Sequence, residues 1–520
     1  MIGHRTSAAI VILLTVFLSA CMLGPNFHKP IAPRVKGYEE SPHLPAKTAH
    51  SSAPGGEAQV FLKDKDVPLL WWELFRSPSI NKLIRRGLAC SPNIAAATAA
   101  LRVAQENYNV QVGNLLYPAI DASFSAKRQR FTIASMQGGG GNNIGNIGNS
   151  GIGGIGGIGG IGGNRGPDAI TFNLFNASVN ASYTLDVWGA ARRQIESYAA
   201  KVDYQQFQVI ATYLTLTSNI VTTAVAVASD QSQLEVTVQL VKEQQYLYNI
   251  LLKQFELGAV SKASVLIQQT LLEQTRATLP PLEKSLSRNK HALSALVGAF
   301  PNQALPKLDL NKLKLPVEIP VSLPSNLVRQ RPDVRAAEAK MHEACALIGV
   351  ATANLFPQIE LTGSYGFVST SLGGLFSPAN SVWSIMAQAT QPVFRGGALL
   401  AQRRANIAAY QEAEAKYRQT VLQAFQSVAD VLRALETDAR ALKAQVLAES
   451  SASQALKLTM EQYRLGGASY IDLLNTQQQY EQTRINRIKA QALRYADTAA
   501  LFQALGGGWW HKPWCVKQCL

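Results

Sequence analysis

His342 and Glu343 stand side by side, as the first histidine and the general base of a zinc-protease helix do, but the second histidine such a helix needs is missing. The seven histidines are scattered along the chain. No Gly-x-Ser-x-Gly elbow falls where a strand turns into a helix, and the paired carboxylates Glu39 and Glu40 lie in a Pro- and Ser-rich stretch. Residues 137–166, QGGGGNNIGNIGNSGIGGIGGIGGIGGNRG, lack the Gly-Lys-Ser/Thr ending of a phosphate loop and read as a mobile loop. Nucleophile, acid–base pair and metal set are all wanting, so neither catalysis nor a bound cofactor is expected.

Cys21 is the exception. His4 and Arg5 precede an apolar run from Ala8 to Leu18, too short for the ~20 residues of a spanning helix. The run ends in Leu18-Ser19-Ala20-Cys21, small residues before a cysteine, which resembles a bacterial lipobox. Residues 1–20 are therefore expected to be a signal peptide, with Cys21 lipidated and becoming the mature N-terminus. Two or three acyl chains would hold the chain firmly to a membrane. Met22 stands where Asp would resemble an inner-membrane retention signal, which favours the outer membrane. Cys515 and Cys519 could pair, or mimic a metal site with His511, but GGGWWHKPWCVKQCL reads more simply as a Trp-rich tail.

The composition frames what could position such groups. The chain is 47% hydrophobic and 16% charged, with mean hydropathy +0.01, which suits long amphipathic elements with a polar uncharged face. A net charge of +15 is spread evenly and accompanies no nucleic-acid-binding module, so no nucleic-acid partner is expected.

The chain says everything twice. Helical periodicity from Ser79 to about Val112 stops at Tyr117-Pro118, and strand-like stretches follow at about 119–131 and 172–188. From Ala190 to Leu257 there is neither Gly nor Pro, a helix of about 100 Å at 1.5 Å per residue. Gly258 breaks it, and helix resumes to Val297. QRPDVRAAEAKM (330–341) echoes SPNIAAATAALR (91–102), Phe356-Pro357 echoes Tyr117-Pro118, and strands at about 357–370 and 381–394 follow. A second helix runs from Ala398 to Leu465, breaks at Gly466-Gly467 and continues to Leu505. QFELGAVSKASVL (254–266) and QYRLGGASYIDLL (462–474) are the two hairpin turns. The expected organisation is a signal peptide (1–20), a lipidated tether (21–78), a first repeat (79–300), a linker (301–324), a second repeat (325–507) and a tail (508–520).

Val421, Phe425, Val428, Leu432, Leu435, Ala439, Leu442 and Val446 step by four and three, a heptad seam that calls for a partner helix. Four strands cannot close a membrane barrel alone, and an open edge in lipid leaves backbone groups unsatisfied. Several copies must pool their strands. The fold class is mainly α with a membrane β-barrel portion: a tandem-repeat protomer with four strands and long antiparallel coiled-coil helices.

Leu70-Trp71-Trp72-Glu73-Leu74-Phe75, Arg331-Pro332-Asp333-Val334-Arg335-Ala336-Ala337-Glu338, Ala353-Asn354-Leu355-Phe356-Pro357 and Pro392-Val393-Phe394-Arg395-Gly396-Gly397 resemble the TolC-like outer-membrane factors. Cys21-Met22-Leu23-Gly24-Pro25 fits the lipoprotein branch that serves RND-type efflux pumps. The resemblance implies a homotrimer with a barrel among outer-membrane lipids and a helical tunnel in the periplasm. It further implies docking to a periplasmic adaptor protein and an RND-type inner-membrane transporter. It makes Tyr463 and Asp472 the periplasmic gate, Asp472 as an acidic ring in the trimer, while Asn475 fills a position where a second ring is common. The matching first-repeat position is Ser264. Gly258, Gly466 and Gly467 are the hairpin-tip turns. Departures are the long Gly-Ile loop, the tail, and Pro280-Pro281, which should kink a returning helix. An outer duct for protein secretion shares this fold. A coiled-coil spacer lipoprotein is a further alternative, but would not need the strand pairs.

Overall fold

The computed structural model describes residues 22–33, 35, 37–38, 45–63, 65–132, 169–321 and 324–511. Cys21, the stretch 137–166, Cys515 and Cys519 lie outside them. In chain order the elements are β1 (Val60–Lys63), α1 (Pro78–Cys90), α2 (Pro92–Leu116), β2 (Ala119–Thr132), β3 (Ala169–Leu185), α3 (Ala190–Glu256) and α4 (Lys262–Leu296). There follow β4 (Glu318–Val321), α5 (Pro324–Gln330), α6 (Pro332–Ala353), β5 (Gln358–Ser369), β6 (Ser381–Thr390), α7 (Ala398–Arg464) and α8 (Tyr470–Ala504). The single helix expected over 79–112 is two. Pro92 pushes Ser91 into extended backbone (φ −71°, ψ 124°), and α2 starts afresh at Pro92.

The chain forms two compact units. One gathers the described residues within 1–27, 106–199 and 343–410 around a four-stranded antiparallel sheet in the order β2-β3-β5-β6. The strands have 14, 17, 12 and 10 residues, enough for the ~9–11 that a tilted strand needs to cross a bilayer. The register sorts the side chains by face. Ala122, Val179, Tyr365 and Trp383 lie in one row, and Ile120, Ala181, Gly363 and Ile385 in the next row of that face. Asp121, Asn180, Ser364 and Ser384 lie on the other face, where Ser123 bonds Ser178 (3.0 Å) and Ser364 bonds Ser384 (2.8 Å). One face is apolar and the other polar, and the outer edges of β2 and β6 have no partner strand among the described residues.

β3 stops at Leu185, short of the expected 188, because Asp186 turns to cap α3. Its carboxylate accepts from the amides of Ala191 (3.1 Å) and Arg192 (3.0 Å). β6 likewise ends at Thr390 rather than 394, since Pro392 cannot donate to a ladder.

The second unit holds the described residues within 28–105, 200–342 and 411–520. Here α3 returns through α4 and α7 through α8. Along α7 the heptad seam is real: Val421, Val428, Leu432, Leu435, Ala439 and Leu442 are buried, and Phe425 and Val446 half-buried. α4 stays helical through Pro280-Pro281, although two backbone donors are lost there.

The described part of the tether is packed. β1 pairs in parallel with β4, which lies in the expected linker, and Trp71, fully buried, stacks on Phe502 of α8 (5.3 Å). Arg494 of α8, also fully buried, donates to the carbonyls of Gly55 (2.9 Å) and Glu57 (2.6 Å) and to Thr48 Oγ1 (3.0 Å). An unpaired guanidinium in that position would carry a heavy desolvation cost, so the segment is held against α8. Arg331 binds Asp333 bidentately (3.0 and 2.7 Å) while donating to Ala504 O (2.9 Å), which caps the end of α8.

Candidate functional site

The two hairpin tips are built from matching atoms. At the end of α3, Gly258 (φ +73°) donates to Phe255 O (2.9 Å), and the next amide, Ala259, reaches back to Gln254 O (2.8 Å). At the end of α7, Gly466 (φ +78°) donates to Tyr463 O (3.1 Å) and Gly467 to Gln462 O (2.8 Å). This is the left-handed helix ending that glycine adopts at low cost. Gly467 is different from the other two. Its φ is not positive, and Ala259 fills the matching place.

Each returning helix opens on a serine. Ser261 Oγ accepts from the Ser264 amide (3.3 Å) and Ser469 Oγ from the Asp472 amide (3.2 Å). The tips diverge at these two third positions. Asp472 Oδ2 takes both the amide (3.0 Å) and the hydroxyl (2.6 Å) of Ser469, which completes a capping box. Those bonds hold its carboxyl below the ordinary range, so a fixed, exposed carboxylate marks the second tip. Ser264 makes only a serine–serine contact with Ser261 (3.1 Å). Asn475 is exposed and uncharged.

Tyr463 is half-buried and packs its ring against Tyr470 (5.9 Å, 56°). The bond between hairpins, however, is made by Tyr470. Its hydroxyl donates to Gln268 Oε1, while the fully buried Gln268 donates through Nε2 to Gln244 O (3.1 Å). Burial raises the Tyr470 phenol, with the neighbouring Tyr463 adding to the effect, so the tie stays protonated. Further along α8, burial pushes Glu481 up to about 8; a hydrogen bond from Gln477 opposes this and repulsion from Glu243 of α3 adds to it.

The arrangement can clamp rather than react: a neutral tie between two hairpins, an ionised carboxylate fixed at one tip and, further along α8, a carboxyl whose burial favours its neutral form. Tyr470, Gln268 and Glu481 were not singled out from sequence. The available signal was a break in the repeat, since Tyr470 matches Lys262 and Gln268 matches Thr476.

The model of the outer membrane efflux protein family matches residues 83–299 and 323–507. The toluene efflux pump outer membrane protein TtgC of Pseudomonas putida is 26% identical over 527 residues, covering 99% of this chain and 98% of its own. The pyoverdine export outer membrane protein OpmQ of Pseudomonas aeruginosa is 26% identical over 441 residues, 84% of this chain and 87% of its own. Among solved structures, the Campylobacter jejuni CmeC outer membrane channel superposes with a TM-score of 0.79 at 21% identity, over 94% of this chain and 95% of that one. The open-state MtrE outer membrane channel of Neisseria gonorrhoeae gives 0.75 at 24% identity, over 94% and 98%. With a two-faced strand sheet, paired helical hairpins and a family match running through both repeats, the chain belongs to the outer membrane efflux protein family and is an outer-membrane channel component of an efflux system.

Proposed function

We propose that three copies of this chain close one barrel in the outer membrane and form a passive exit duct for small molecules. An RND-type inner-membrane transporter would deliver the cargo through a periplasmic adaptor protein. The observation that carries this reading is the four-stranded sheet with unlike faces and two open edges. In hydrocarbon such edges must be paired, and three copies supply a twelve-stranded closed barrel with a polar lumen. The exports for which the relatives are named, toluene and pyoverdine, differ widely in chemistry, which fits a duct whose transporter chooses the cargo. No catalytic step is assigned to the duct.

In this reading the hairpin tips are the closed periplasmic end. Tyr470–Gln268 ties neighbouring hairpins, Tyr463 braces Tyr470, and three copies of Asp472 make an acidic ring that favours cations. A lipid on Cys21 is part of the same reading. The segment just after it is held where the strands meet the helices, with Leu23 N donating to Trp188 O (3.1 Å). Trp188 packs at a tilt against Phe356 (5.0 Å, 32°) and donates to Pro357 O (2.8 Å), an aromatic placement that suits the membrane–water interface.

Accumulation of a broad compound and metal panel in a strain lacking the protein, against the complemented strain, tests the proposal. Build-up of one class in the deletion supports export of that class. Unchanged accumulation together with a depleted secretome would replace it with protein secretion.

A further inference from the structure

The apolar face of β2 ends in two arginines. Ile120, Ala122, Phe124 and Ala126 point to one face, and the same alternation places Arg128 and Arg130 next on it. Across the ladder their partners are Asn173 and Thr171 of β3, both exposed and polar. From Ala119, where the strand leaves its helix, Arg128 is nine residues on. That is about 30 Å of strand, or roughly 23 Å of height at a tilt near 40°, the height of the apolar band in such barrels. Below the arginines the face carries aromatic side chains: Phe175 in the row of Ala126, Phe124 and Phe367 in the next row, and Tyr365 and Trp383 in the row of Ala122. The arginines therefore come where the aromatic girdle gives way to headgroups, at the strand ends remote from the helices.

Nothing described neutralises them. Arg128 and Arg130 are exposed and make no ion pair among the described residues. The acidic residue on the described β2 and β3 is Asp121, which lies on the opposite face near the other end. Two guanidiniums on alternate residues lie about 6.6 Å apart along the strand, and each can present a planar fork to phosphate. Lys127, which precedes them in sequence, points to the polar face.

We propose that Arg128 and Arg130 bind the phosphate groups of lipid A in the outer leaflet, a lipid contact on the outside wall of the channel. The inference rests on the outer-membrane placement but not on the cargo, the adaptor or the gate. Its chemistry is simple charge pairing at a headgroup, with no covalent step.

The test uses the full-length protein in phosphatidylethanolamine vesicles doped with bis-phosphorylated lipid A, and measures lipid A retained on the re-purified protein by mass spectrometry. The double substitution Arg128→Gln, Arg130→Gln is expected to lower retention about 25-fold, from roughly fivefold per arginine at a membrane surface. Arg128→Lys, Arg130→Lys is expected to keep most of it, and dephosphorylated lipid A is expected to show no difference between proteins. Equal retention by the Gln variant, equal loss in Lys127→Gln, or equal binding of dephosphorylated lipid A would each overturn the assignment. Ion conductance in the same vesicles is expected to be unchanged in the Gln variant, which also verifies that it has folded. A conductance failure shared with the wild type would strike the channel reading instead.

Discussion

Tyr470 in the second hairpin donates its phenolic hydrogen to the side-chain carbonyl of Gln268 in the first, and Gln268 passes its own amide hydrogen to the backbone of α3. One residue thus links the start of α8 to the α3–α4 pair.

Tyr470→Phe removes this link without disturbing ring packing on Tyr463. A hydrogen bond of about 1 kcal/mol corresponds to roughly a fivefold shift in an open–closed balance. Planar-bilayer recordings are expected to show more frequent openings, and cells to become more sensitive to vancomycin. Tyr463→Phe, whose ring contact survives, is expected to change much less within one chain.

Asp472 serves the cap and carries the charge, and two substitutions separate these roles. Asp472→Asn keeps a side-chain oxygen for Ser469 while removing the charge, so cation preference is expected to fall with little change in amide exchange at residues 469–473. Asp472→Ala is expected to lose both, with faster exchange at the tip. Equal ion selectivity in wild type and Asn variant would end the acidic-ring role.

At the turns, an added Cβ on Gly466 meets nothing within 4 Å, so its substitution isolates the backbone effect. Gly466→Ala forces a left-handed alanine and is expected to cost about 1–2 kcal/mol. Gly467→Ala, with ordinary φ and only Gln462 O at 3.6 Å, is expected to fall within about 0.5 kcal/mol of wild type. Thermal unfolding of the purified protein distinguishes the two.

The helix pair α7–α8 carries a pH dependence. Burial pushes Asp438 from its ordinary 3.8 up to about 7, helped by its hydrogen bond with Asp497 and by repulsion from it, and opposed by Arg494. Glu481 moves from 4.5 to about 8. Both are raised carboxyls, so the native state holds more protons than the unfolded chain between the two values. Their stabilising effect is full below about pH 4 and is lost as pH rises through about 7 and 8 respectively. Tm is expected to fall from about pH 4 to about pH 8. Asp438→Asn is expected to flatten the fall below about pH 7, and Glu481→Gln to flatten it throughout, including the part near pH 8 that Asp438 does not reach.

Arg494→Met addresses the packed N-terminal segment. It leaves the carbonyls of Gly55 and Glu57 without their buried donor, and proteolysis near residues 45–63 is expected to accelerate several-fold.

Much of this protein was legible in its residues alone. The absence of Gly and Pro from Ala190 to Leu257 delimits α3, and alternation along 119–131 makes a two-faced strand. Gly258 and Gly466 mark the turns because a positive φ is a local demand that a residue type can meet by itself. Periodicity and turn chemistry act over a few residues, so they survive in the sequence as patterns. What tertiary structure decided was of another kind. The segment 45–75 looks like a tether because its composition is polar and Pro-rich, yet Trp71 finds Phe502, and Gly55 and Glu57 find Arg494, hundreds of residues away. Tyr470 and Gln268 carry no periodic signal, and Glu481 is an ordinary helical glutamate until folding buries it and α3 brings Glu243 near it. Burial and long-range pairing depend on which distant residues meet, and only the folded chain brings them together.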